Sequence, residues 1–326
     1  MNAGGSLGSG SQGMTRAFVF PGQGSQAVGM GVSLAEAFPA AREVFQEVDE
    51  ALKQRLFKLM REGPDSELTL TENAQPALMA VSLAALRVLE REFGRRIADA
   101  ASFVAGHSLG EYSALAAAGA FQIADAARLL KRRGRAMQRA VPVGEGAMAA
   151  LIGAELEQAE AIAKDAAQGE VCAPANDNAP GQVVVSGHKS AVERAVALAA
   201  ERGIKRSIML PVSAPFHCAL MKPAADEMAE ALAEAKILPP SVPVVANVTA
   251  APVKDPETIR RLLVEQVTGL VRWRESVLAM KAAGVDTIVE LGAGKVLSGL
   301  VKRIDRDIAA SSAGAPAELE AVAKAL

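Results

Sequence analysis

The chain has 326 residues, 50% of them hydrophobic, and its 35 Lys and Arg against 37 Asp and Glu leave a net charge of −2. That length accommodates about two domains, that apolar content rules out wholesale disorder, and that charge gives no basic footprint for nucleic acid or an anionic membrane. Aromatic residues at 3% argue against stacking platforms for single-stranded nucleic acid, and two cysteines (Cys172, Cys218) with three histidines in no ligand spacing exclude a disulfide framework or a recognisable metal motif.

Residues 1–13 are rich in Gly and Ser and lack the basic-then-apolar pattern of a secretory signal. They read as a flexible leader of the kind added for expression. Residues 17–20 (AFVF) form a short apolar run stopped by Pro21-Gly22, which predicts a buried strand opening into a glycine loop. Amphipathic helices are expected over 33–59 and 75–93, and a second strand over 102–105 runs into GHSLGEYSALAAAGAF, helical in composition after Ser108. The most apolar stretch, 112–121, is about half of the roughly 20 residues that a spanning helix needs, so the expected location is the cytoplasm. A helix is expected over 126–138.

From 143 to 211 the rhythm changes. Strands at 148–153, 171–175, 182–186 and 204–210 alternate with helices at 155–167 and 191–202, and 178–181 (NAPG) reads as a turn. That order is βαββαβ, a ferredoxin-like arrangement. A further strand (287–291, TIVEL) precedes Gly292, Gly294 and a helix through 303. The fold class expected is α/β: a large domain with a parallel sheet (14–142 and 212–310), a small inserted domain (143–211), and an Ala-rich tail (311–326) that carries no signal.

The motif Gly106-His107-Ser108-Leu109-Gly110 matches G-x-S-x-G between a strand and a helix. A nucleophile on so tight a turn has a strained backbone, and Cβ atoms two residues to either side would collide. The turn also puts the serine oxygen at a helix N-terminus, where the Leu109 amide can donate to an oxyanion. Few bases are available. His107 should point away on such an elbow, and His188 opens a surface helix where a solvated or capping role fits. His217, in Ser213-Ala214-Pro215-Phe216-His217-Cys218, opens a helix whose N-terminus disfavours imidazolium and keeps the ring able to accept a proton. Cys218 reads as packing. No Asp or Glu stands out as a third member, and a histidine oriented by a backbone carbonyl would satisfy the same geometry.

Arg133 falls on the apolar face that Ala126, Leu130 and Met137 form at i+3 and i+4 spacing, while Arg128, Lys131 and Arg135 point elsewhere. An inward guanidinium needs an anionic partner, either an internal carboxylate or one on a substrate. Two glycine segments fail as nucleotide motifs. Residues 22–27 satisfy G-x-G-x-x-A, but the following stretch (38–50) reads as a charged helix and not as the acid-tipped strand of a dinucleotide site. Gly294-Lys295 is flanked by Val289 and Val296, where a P-loop needs Gly and Ser or Thr.

Taken together, Pro21-Gly22-Gln23-Gly24-Ser25-Gln26, Gly106-His107-Ser108-Leu109-Gly110-Glu111, Lys131-Arg132-Arg133-Gly134, Pro215-Phe216-His217-Cys218, Gln266 and Gly292-Ala293-Gly294 resemble the malonyl-CoA:acyl carrier protein transacylases. The resemblance runs from Thr15 to about Asp305 with the motifs in family order. It implies a hydrolase-like large domain with a ferredoxin-like insert, and transfer of malonyl from malonyl-CoA to the phosphopantetheine thiol of holo acyl carrier protein, supplying fatty acid elongation. Ser108 would be acylated and His217 would be base, then acid. The amides of Gln23 and Leu109 would form the oxyanion hole, Arg133 would hold the malonyl carboxylate, and Gln266 would orient His217 through its carbonyl. Phe216 is a residue that malonyl-selective domains often carry before the histidine. No metal or cofactor is implied, and a monomer is expected. The basic surface around Lys131, Arg132 and Arg135 is a candidate docking patch for an acidic carrier protein, or a solvated helix face. A serine esterase or thioesterase using the same elbow with water is the alternative reading, and a nucleotide-binding protein built on 22–27 a remoter one.

Overall fold

Strand β1 (Arg16–Phe20) is apolar at four successive positions, and the sheet shows why. Phe18 and Phe20 enter one core while Ala17 and Val19 enter another, so both faces of the strand are covered. The computed structural model describes residues 15–326; the expected leader (1–13) lies outside them. After β1 come α1 (Val32–Ala37), α2 (Pro39–Leu52), α3 (Leu56–Glu62), α4 (Asp65–Leu68), α5 (Thr71–Arg91) and α6 (Ile97–Ala100). Strand β2 (Phe103–Gly106) then leads to α7 (Gly110–Ala117) and α8 (Ile123–Ala140).

The chain next builds a second sheet: β3 (Gly146–Ile152), α9 (Leu156–Ala167), β4 (Cys172–Ala179), β5 (Gln182–His188), α10 (Lys189–Glu201) and β6 (Arg206–Met209). It returns through a short 3-10 turn (Ala219–Met221) to α11 (Lys222–Glu234), β7 (Val244–Val245), β8 (Pro252–Val253), α12 (Pro256–Thr268), α13 (Trp273–Ala282), β9 (Thr287–Leu291), α14 (Val296–Ile304), β10 (Ala309–Ala313) and α15 (Pro316–Ala325).

The six-stranded sheet has the order β10-β9-β1-β2-β7-β8 and is parallel except for β8. Helices α13 and α14 cover the face of Ala17 and Val19. Helices α2, α5, α7, α8 and α11 build the larger core on the face of Phe18 and Phe20. The four-stranded sheet is antiparallel, in the order β4-β5-β3-β6, with α9 and α10 packed on one face. Its strand β4 is hydrogen-bonded to the segment between α12 and α13, Asp177 N–H to Val271 C=O at 3.0 Å and Val271 N–H to Ala175 C=O at 2.9 Å.

Several expectations change in detail. The helix expected over 33–59 is three helices. Phe38 precedes Pro39 and is extended (φ −130°), which breaks α1 from α2, and Lys53 turns left-handed (φ 50°) to end α2. Strand β4 continues to Ala179, so the turn is Pro180-Gly181 alone. Residues 311–326, expected as a featureless tail, hold the end of β10, the edge strand beside β9, and α15. Lys131, expected on the outer face of α8, is buried with its ammonium bonded to Gln54 and Asn73 and 3.1 Å from Glu72.

One close approach positions the site. Helix α8 meets the start of α5 at Gly134, where a Cβ would lie 2.5 Å from Glu72 Cα and 2.7 Å from the Thr71 carbonyl oxygen. Both neighbours are backbone and cannot swing aside. Gly134→Ala gains about 1 kcal/mol of helix propensity but must push two helices apart, at about 1–3 kcal/mol or more. We expect a melting temperature several degrees lower, measured by calorimetry, with reduced activity because Arg133 is the adjacent residue.

Candidate active site

The strand-to-helix turn after β2 is as tight as its glycines suggest. A Cβ on Gly106 would sit 1.8 Å from the Gly110 carbonyl oxygen, and one on Gly110 would sit 2.2 Å from that of Phe20. Between them Ser108 is held left-handed, at φ 53°. This conformation costs of order 1–3 kcal/mol for a residue with a side chain, and it persists because the surroundings enforce it. Gly22 completes the approach: a Cβ there would lie 2.7 Å from the His107 carbonyl oxygen, so the loop after β1 rests on the elbow and brings Gln23 beside it. Neither the Gln23 nor the Leu109 amide has a protein acceptor among the described residues.

His217 Nε2 is 2.8 Å from Ser108 Oγ, and its Nδ1 is 2.8 Å from the main-chain oxygen of Gln266. A carbonyl only accepts, so Nδ1 carries the proton and Nε2 is left to take one from the serine. Burial pushes the His217 pKa down to about 3, reinforced by the nearby Arg133 charge and opposed by the bond to Gln266. Desolvation is the largest cause, and the ring also lies just before the 3-10 turn (Ala219–Met221) that runs into α11, at the helix start expected. His217 itself is left-handed, at φ 57°.

Arg133 is 1% exposed and sits at the centre of this constellation. One Nη donates to Gln75 Oε1 at 2.7 Å; the other donates to Gln266 Oε1 at 2.8 Å and to Ser108 Oγ at 3.1 Å. Its Nε has no partner, and no carboxylate of the described residues forms an ion pair with it. The Tyr112 ring lies 5.7 Å from the guanidinium carbon. Glu111, on the first turn of α7, is buried and contacts Gln266 Nε2 at 2.8 Å. Burial raises its pKa to about 7, while the Asn247 backbone, Gln266 and Arg133 hold it down. A second chain runs outward from the guanidinium: Gln75 Nε2 donates to Thr71 Oγ1, and that hydroxyl donates to Gln23 Oε1, both at 2.8 Å.

Residues 17–316 match the family model of the acyl transferase domain. The malonyl CoA-acyl carrier protein transacylase of Escherichia coli (strain K12) is 48% identical over 94% of this chain and 97% of its own length. The chain belongs to this transacylase family. Among solved structures, the acyl-carrier-protein-S-malonyltransferase of Bartonella henselae superposes with a TM-score of 0.94 at 55% identity, covering 96% of this chain and 99% of that one. PlMCAT, solved in complex with the holo type II PKS acyl-carrier protein AntF as its malonyl-transacylase, gives 0.93 at 44% identity over 96% of this chain and all (100%) of that one.

In this transacylase fold the residues singled out in the sequence divide cleanly. Ser108, His217, Arg133 and Gln266 meet within hydrogen-bonding distance, with Gln23, Leu109 and the buried Phe216 beside them in space or in the chain. His107 turns away, its Nε2 2.8 Å from Asn178 Oδ1 and its ring beside Trp273. His188 accepts the Val171 amide proton at Nδ1, and Cys218 is buried with its thiol donating to the Pro215 carbonyl. The basic patch is interleaved with acids: Arg135 pairs with Glu72, and Arg132 and Arg139 with Glu227. Among the described residues no group of three or more His, Cys, Asp or Glu could hold a metal ion, and no helix is long and apolar enough to cross a membrane.

Three buried polar side chains of the network escaped the sequence reading. Gln75 and Thr71 carry a readable signal, as polar residues on the largely apolar buried side of α5. Asn247 carries none, since β7 is two residues long.

The depressed His217 pKa has a direction that can be measured. Between about 3 and the ordinary 6.5, the unfolded chain holds a proton here that the folded chain does not. The stability tied to the neutral ring is therefore complete above the ordinary pKa and lost as pH falls toward 3. We expect the His217 ring resonances to stay constant from pH 8 to 5 by NMR, and denaturant unfolding to show a shallower loss across pH 6 to 4 in His217→Gln than in the wild type.

Proposed function

We propose that the chain transfers malonyl from malonyl-CoA to the phosphopantetheine thiol of holo acyl carrier protein, through a malonyl ester on Ser108. One observation carries this reading: the oxygen that His217 can deprotonate also receives a hydrogen bond from a buried guanidinium lacking a carboxylate partner. An acyl group on Ser108 with a carboxylate two carbons beyond its carbonyl can supply that partner. The family relationship, and the PlMCAT complex with its carrier protein, support both the donor and the acceptor.

Ser108 Oγ attacks the thioester carbonyl as its proton passes to His217 Nε2, and the oxyanion is met by the amides of Gln23 and Leu109. Collapse breaks the C–S bond, and the CoA thiolate leaves with the proton from His217. The phosphopantetheine thiol then gives its proton to His217 and attacks the ester. Ser108 departs and takes that proton back. The scheme draws on no metal or cofactor, because backbone dipoles stabilise the charge. We read the large domain as hydrolase-like, from its parallel sheet and serine elbow, and the small one as ferredoxin-like, from its βαββαβ order and antiparallel β4-β5-β3-β6 sheet. Carrier-bound malonyl would feed fatty acid elongation in the cytoplasm.

Two variants test this. Ser108→Ala should gain no malonyl mass on incubation with malonyl-CoA and should lose transfer; a labelled mutant refutes the nucleophile. Losing a buried charge-assisted partner costs about 2–5 kcal/mol, so Arg133→Ala should lower malonyl kcat/KM by roughly 30- to 4,000-fold. Acetyl-CoA has no carboxylate to lose, so acetyl transfer should be equal or improved. Parallel loss of both activities with a lowered Tm would show Arg133 to be structural, and faster hydrolysis than transfer in the wild type would favour the esterase.

A further inference from the structure

Asn247 is 1% exposed and is bonded to the backbone on both sides of the elbow. Its Oδ1 accepts the Ser108 N–H at 2.8 Å, and its Nδ2 donates to the Gly106 carbonyl at 2.7 Å. The amide's orientation is fixed by its neighbours. Oδ1 also faces the Gln266 Nε2 donor at 3.2 Å, whereas the Gly106 oxygen can only accept. Sheet register brings the residue there. Strands β2 and β7 pair through Ala105 and Val245, and β7 then ends. Ser108 lies two residues beyond the end of β2, left-handed at φ 53°. Asn247 is itself anchored, its N–H to Glu111 Oε2 at 3.1 Å and its C=O to the Arg272 N–H at 2.9 Å.

We propose that Asn247 is a positioning residue for the nucleophile: its amide bridges the peptide groups on either side of His107 and fixes the turn that aims Ser108 Oγ at His217 Nε2. The inference rests on Ser108 being the acylated residue. The half-buried Ser108 N–H and the buried Gly106 C=O both take this one side chain as partner, and such bonds are costly to leave unmade. A loosened elbow degrades aim, and misplacement by about 1 Å is worth on the order of 100-fold in rate.

The test is single-turnover loading of the full chain by malonyl-CoA, followed by intact mass, with the melting temperature of each variant. Asn247→Ala should load about 100-fold more slowly with little change in the malonyl-CoA concentration needed for half-maximal rate. Asn247→Asp keeps size and shape but offers the Gly106 carbonyl a hydrogen only while protonated. Its rate relative to wild type at the same pH should be highest in acid and fall as pH rises through the introduced acid's pKa, which burial raises above the usual 3.9 or so. The charged or titratable groups around the position are Glu111 on α7, Arg133 on α8, His217 before α11 and Arg272 before α13. All are present in the wild type, so the ratio reports the change made at position 247 together with its coupling to Glu111. Loading by Asn247→Ala within threefold of wild type overturns the inference. So does a folded Asn247→Asp whose relative rate is flat with pH, and that profile decides the matter should Asn247→Ala not fold. A wild-type chain that gains no malonyl on Ser108 overturns the reading of the site instead.

Discussion

A guanidinium withdrawn from water has to be given oxygens in place of its hydration shell, and the charge on those oxygens determines what else it can hold. Arg133 receives its oxygens from two glutamines and a serine, all neutral, so its positive charge stays uncancelled at short range. Much of the surrounding structure follows from seating it. Helix α8 can press against α5 only because residue 134 lacks a side chain. Helix α5 then presents Gln75, and α12 presents Gln266, on opposite sides of the same group. Gln266 works in three ways: its main-chain oxygen sets the His217 tautomer, its side-chain oxygen holds Arg133, and its amide nitrogen reaches Glu111 and the Ser108 carbonyl.

The arrangement also links recognition to base strength. Arg133 contributes to the low pKa of His217, second only to burial. On the proposed reading, a substrate carboxylate paired with the guanidinium acts against that influence.

The elements that bury one apolar stripe or run were readable, because a single period sets them. The AFVF strand, the serine elbow and the βαββαβ segment all show it. The inward aim of Arg133 follows from the same helical spacing. What escaped depended on partners distant in sequence. Lys131 looks solvent-facing on a helical wheel, and it is buried because α5 and the turn after α2 bring Asn73 and Gln54 to meet it. Strand β10 is built of Ala and Ser, and its place beside β9 is set by pairing and not by its own hydrophobicity. Asn247 shows no periodicity at all; register alone delivers it. His217 does lie at the helix start expected, but burial, which no local pattern announces, is the largest cause of its low pKa.

The pairing of β1 with β9 bears on how the molecule is made. The central strand of the large sheet joins Arg16 to Thr287, so the sheet's middle cannot close until nearly the whole chain has been synthesised. The four strands of the smaller sheet lie between residues 146 and 209 and need nothing outside that interval to pair with one another. On the ribosome the insert is therefore expected to fold first, as a finished body held between two halves of an unfinished sheet. During that interval the faces of β1 and β2 have no cover from α13 and α14, and the nascent chain is at its most vulnerable to aggregation until its C-terminal third emerges.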